Sequence, residues 1–70
     1  MTANPVLLQR KYANVIVALS NRLNIDIRQA MDMFYKSRTY QEMREGISDM
    51  HCRSDLYLAE EIELELNTTM

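Results

Sequence analysis

The stretch PVLLQRKYANVIVALSNRL, residues 5–23, decides the fold. Leu8, Tyr12, Val15, Ile16, Leu19 and Leu23 recur at steps of three and four, so on a helix of about 3.6 residues per turn they form one apolar stripe. Arg10, Asn14 and Asn21 face the other way. Asn4 is placed to cap this helix, and Pro5 takes the first helical position, where a missing N–H costs nothing. Leu7, Val17 and Ala18 add apolar surface beside the stripe, more than one facing helix needs, and leave room for a second contact such as another subunit.

Downstream, Asn24 suits the left-handed residue that closes a helix, and Asp26 with Gln29 three residues on makes a capping box. The spacing then predicts a second helix over 27–36 with Ile27, Ala30, Met31, Phe34 and Tyr35 on one buried face. Thr39 with Glu42 repeats the capping pattern, and Tyr40, Met43, Ile47 and Met50 predict a third helix over 40–51, weakened by Gly46. Ser54 or Asp55 opens a fourth over 55–66, with Leu56, Leu58, Ala59, Ile62 and Leu66 inward. The tail Ile62-Glu63-Leu64-Glu65-Leu66 also alternates with period two, as a strand would, but Glu and Leu are strong helix formers and no second strand is evident. The expected fold is all-α: a single domain, residues 1–70, built as a compact bundle of three to four short antiparallel helices.

Composition agrees. Seventy residues suit one small domain, and 47% hydrophobic with 26% charged residues is an ordinary globular balance. One glycine and one proline leave no material for a phosphate-cradling loop or a hairpin-rich sandwich. The single cysteine, Cys52, has no internal disulfide partner, and no basic-then-apolar leader run stands ahead of the first helix, which sets the expectation of a cytoplasmic protein. No apolar run approaches the roughly 20 residues that span a bilayer, so no membrane segment is expected. A core this small supplies only about 3–5 kcal/mol, and six methionines make it adaptable rather than specifying. Self-association into a homo-oligomer is the expected remedy.

Net charge is −2, but it is unevenly spread. Residues 1–25 carry Arg10, Lys11 and Arg22 without an acid, whereas residues 54–70 carry Asp55, Glu60, Glu61, Glu63 and Glu65 without a base. The two ends are expected to attract each other, or the acidic end to meet a basic partner. Glu60, Glu61, Glu63 and Glu65 otherwise read as a solvated face, because consecutive and alternate helical positions diverge.

Catalytic pairs are scarce. His51 and Cys52 are adjacent and point about 100° apart on a helix, which rules out a nucleophile–base pair between them. Asp49, His51 and Asp55 match no metal-ligand spacing, and His51 reads as a helix-end residue packing on Tyr57. Neither an enzyme nor a cofactor is expected. Phe34, Tyr35, Tyr40 and Tyr57 could stack bases, but a stacking platform needs a basic groove, and core packing is the preferred role. The turn Lys36-Ser37-Arg38 between two helices is compatible with a helix-turn-helix, in which Arg28, Lys36, Arg38 and Arg44 would contact phosphates. Glu42 and Glu45 on the would-be recognition helix repel phosphate, so nucleic acid is not the expected partner.

His51, followed by Tyr57, Leu58, Glu60, Glu61 and Ile62, resembles the corresponding stretch of a family of short bacterial proteins catalogued as a domain of unknown function, the DUF3791-like group. There the pattern is Leu-His, four or five variable residues, Tyr-Ile/Leu, an acidic pair and Ile. Here Met50 replaces the usual Leu, and Glu60 stands where Asp is common. Phe34-Tyr35-Lys36-Ser37-Arg38-Thr39-Tyr40 is similar to a Phe-Tyr-x-Ser-x-Thr-Tyr run of related sequences. Together these cover about half the chain. The resemblance implies a small helical protein of the bacterial cytoplasm, often encoded beside a larger gene resembling an ADP-ribosyltransferase-like toxin, and hence an antitoxin-like or accessory subunit. It marks His51, Tyr57, Glu60, Glu61, Tyr35, Ser37, Thr39 and Tyr40 as interaction or motif residues. Imidazole and phenol at a helix junction lock a turn or receive a ligand.

Three functions follow as expectations. The first is a non-enzymatic helical module that binds a protein. The second is a DNA-binding regulator using the four cations. The third is a small ligand sensor or enzyme centred on His51, Tyr57 and Glu61.

Overall fold

The computed structural model describes residues 5–47 and 52–68, and every regular element among them is helical: α1 (Pro5–Leu23), α2 (Ile27–Lys36), α3 (Arg38–Glu45) and α4 (Asp55–Thr68). Each junction is set by one or two side chains. Asn24 takes the left-handed conformation at φ 55°, and the Ile25 N–H reaches back to the Ser20 carbonyl at 3.1 Å, the Schellman bond that ends α1. The buried Ser20 hydroxyl donates to the Ile25 carbonyl at 2.6 Å and holds the turn shut. Asp26 and Gln29 form the expected capping box at the start of α2.

Ser37 alone joins α2 to α3. Its hydroxyl donates to the Phe34 carbonyl at 2.6 Å and accepts from the Tyr40 N–H at 3.0 Å, closing one helix and capping the next. The third helix therefore begins two residues before the expected position, with Ser37 rather than Thr39 as its cap. It also ends sooner: Gly46 at φ 71° stops it at Glu45, so the span 40–51 is not one helix. Met50 and His51 lie outside the described residues. Ser54 caps α4 by accepting from the Tyr57 N–H at 3.1 Å, and the alternating tail is helical to Thr68.

The core is Tyr12, Val15, Ile16 and Leu19 of α1, Ala30 and Phe34 of α2, Met43 of α3, and Leu58, Ala59 and Ile62 of α4. Helix α1 is the central element and packs on both α4 and α2; α3 bridges α2 and α4. The chain reverses between α1 and α2. The expected attraction of the ends is realised as ion pairs: Lys11 with Asp55 at 2.7 Å, and Arg22 with Glu63 at 2.6 Å and Glu60 at 3.4 Å. Early α1 thus lies beside early α4 and late α1 beside mid α4, so these two helices run in broadly the same direction.

Several residues expected to face inward do not. Ile27, Met31 and Tyr35 of α2, Ile47 after α3, and Leu56 and Leu66 of α4 are exposed to solvent. In α2 the apolar arc is wider than its neighbours can cover: Ala30 and Phe34 take the core, and the adjoining line Ile27, Met31, Tyr35 is left outside.

Candidate functional site

The exposed line on α2 faces an exposed line on α1. Gln9, Tyr12, Ala13, Ile16 and Val17 from α1 and Ile27, Met31 and Tyr35 from α2 border an open groove of about 220 Å³. Met31 is 42% and Val17 47% exposed, with Ile27 and Tyr35 between them. Four large apolar side chains, each little more than half covered, therefore share one surface, the kind of contiguous patch that marks an interaction face. One end of the groove is aromatic. Tyr12, Phe34, Tyr35 and Tyr40 pack edge-on or tilted with centroids 4.9 to 5.4 Å apart, in the geometry that ring quadrupoles favour. Tyr12 is buried, and its hydroxyl has no hydrogen-bond partner among the described residues. Burial and the neighbouring Tyr40 push its pKa up, and Arg44 partly opposes them.

The expected motif residues divide between surface and scaffold. Tyr35 borders the groove, and the Tyr40 ring packs on Tyr35 with centroids 4.9 Å apart. Ser37 and Thr39 are buried and structural: Ser37 is the shared cap, and Thr39 donates through its hydroxyl to Glu65 at 2.6 Å. Glu65 also accepts from the Arg38 and Thr39 N–H groups at 2.8 and 3.0 Å, placing a carboxylate from α4 on the positive end of α3. With Glu60 and Glu63 held by Arg22, the acids of α4 are not the solvated face expected: they fasten α4 to α1 and α3. Glu61 is half-buried.

Tyr57 is exposed beneath the Arg53 guanidinium, 5.4 Å from its ring centroid, and makes no ring contact with the aromatic cluster; Tyr12, which the sequence placed only in the apolar stripe, stands there instead. His51 lies outside the described residues, and so does any convergence of His51 with Tyr57 and Glu61. Of the four cations, Lys36 pairs with Asp32 at 3.1 Å, while Arg28, Arg38 and Arg44 are exposed. A second cleft of about 190 Å³ lies between α2 and α4, but its polar groups Ser37 and Glu65 are already used as caps and Lys36 is paired.

Among the described residues no three His, Cys, Asp or Glu side chains gather as a metal site, and no helix is long and apolar enough to cross a membrane. The chain matches no family model, no curated protein and no solved structure. The groove itself was half legible: the surplus of Val17 was visible, but Gln9, Ala13 and the outward line of α2 were not. The available signal was six apolar residues in a ten-residue helix, an arc too wide for one neighbour.

Proposed function

We propose that the protein is a non-enzymatic helical interaction module whose binding face is the groove between α1 and α2. The observation that carries this is the shared exposure of Val17, Ile27, Met31 and Tyr35 around one concave apolar surface. Grooves of this form receive an amphipathic helix. An accessory or antitoxin-like role toward a co-encoded protein, in a bacterial cytoplasm where the exposed thiol of Cys52 stays reduced, is consistent with this reading. Self-association is the competing use of the same face, because a core this small also gains stability when a second copy covers its apolar surface.

Affinity capture from the native cell with the wild-type chain and with the double variant Ile27→Asp, Met31→Asp tests the proposal. Both residues are exposed, so the variant is expected to fold. A protein held by the wild type and released by the variant supports the groove; a protein held equally by both contradicts it.

The DNA-binding alternative is disfavoured by Glu65. A recognition helix approaches DNA with its N-terminal turn, and here that turn already carries a carboxylate. Steeply salt-dependent binding of duplex DNA, abolished by Arg38→Ala with Arg44→Ala, would restore it.

A further inference from the structure

The groove differs chemically between floor and edges. The floor is apolar, formed by Ile16, Val17, Ile27 and Met31. Arg28 directly follows Ile27 and stands three residues before Met31, a spacing that makes them surface neighbours, so Arg28 flanks the α2 edge. Arg10 stands three residues before Ala13 and flanks the α1 edge in the same way. Both arginines are exposed, and among the described residues neither belongs to an ion pair. Of the other charges nearby, Lys11 is engaged by Asp55, Arg22 by Glu60 and Glu63, and Asp32 by Lys36, Asp26 caps α2, and Arg44, close enough to act on Tyr12, is exposed and adds to the positive side. A partner entering the groove therefore meets uncompensated positive charge on both sides and apolar surface between.

We propose that the groove takes an acidic amphipathic helix of a partner protein, with aliphatic side chains seated between Val17 and Met31 and carboxylates meeting Arg10 and Arg28. This rests on the interaction-module reading and adds the chemistry of the partner. Ile27 to Tyr35 spans about 12 Å, a little over two turns of an opposing helix. Charged edges of this kind govern association rate and partner choice more than bulk affinity, so discrimination by charge is the expected signature. The chain's own α4 is acidic, but Asp55, Glu60, Glu63 and Glu65 are already engaged within one molecule, so a second copy offers the arginines little charge.

The test uses two synthetic helices with one Leu stripe at three-and-four spacing, flanked by Glu in one and by Lys in the other, titrated against the full chain by fluorescence anisotropy. The Glu helix is expected to bind at least about tenfold more tightly at low salt, with the gap closing as salt is added. In the double variant Arg10→Glu, Arg28→Glu the preference inverts, with helicity unchanged by circular dichroism. Equal affinities overturn the charge assignment and leave the docking module standing. Binding of neither helix removes both. Sedimentation showing a dimer that excludes the Glu helix also overturns the proposal, since a second copy is then the occupant.

Discussion

Tyr12 shows how much one side chain can be asked to do. It sits in the core stripe, anchors the ring cluster and buries a hydroxyl that finds no partner among the described residues. An unsatisfied buried hydroxyl costs about 1–3 kcal/mol, so Tyr12→Phe is expected to leave stability unchanged or raise it, as urea unfolding would record. The pH dependence follows in sign. Its folded-state pKa lies above the ordinary 10.0, so the stability it contributes is complete below pH 10 and is lost as pH rises through the raised value. Alkaline unfolding should begin above pH 10, and Tyr12→Phe should weaken that dependence. Gly46 is the converse case. Nothing would touch a Cβ there, so Gly46→Ala should cost about 1 kcal/mol through the left-handed backbone at φ 71° alone, with Gly46→Asn costing less. The sequence showed the weakness of helix over Gly46, but not that the chain stops there.

At the scale of the element, helix boundaries were legible wherever a local rule governed them. Asn24, the Asp26–Gln29 box and Ser54 act as their residue types predict. The start of α3 was misplaced because two serviceable caps, Ser37 and Thr39, lie two residues apart, and a residue distant in sequence engages the second. Ser37 is the one whose hydroxyl accepts from a helical N–H, that of Tyr40, while Thr39 lies inside the first turn and its hydroxyl and N–H both donate to Glu65 from α4. Glu65→Ala removes three hydrogen bonds from the α3 terminus and should destabilise the chain by about 1–2 kcal/mol, read as a lowered urea midpoint. The same long-range dependence hid the groove. Period alone places Ile27 and Ala30 on one face of α2, and only the position of α1 decides which of them is covered.

For the whole molecule, stability resides in the contact of α1 with α4 and α2. Leu19 is fully buried among them, and Leu19→Ala should cost about 2–5 kcal/mol, enough to unfold most of a domain this small at room temperature by circular dichroism. The ion pairs along α1 and α4 are partly exposed and set register more than stability; Arg22→Ala should lower the urea midpoint only slightly, and less still in high salt. The bundle and its charge polarity were readable because both follow from periodicity and sign; the functional face was not, because it is made of the apolar residues that packing leaves over. The decisive measurement is a methyl and amide NMR titration of the labelled chain with the Glu-flanked helix. Shifts confined to Ala13, Val17, Ile27, Met31 and their neighbours are the predicted result; shifts on the outer side of α4, at Leu56 and Tyr57, with the α1–α2 methyls unmoved, would contradict it.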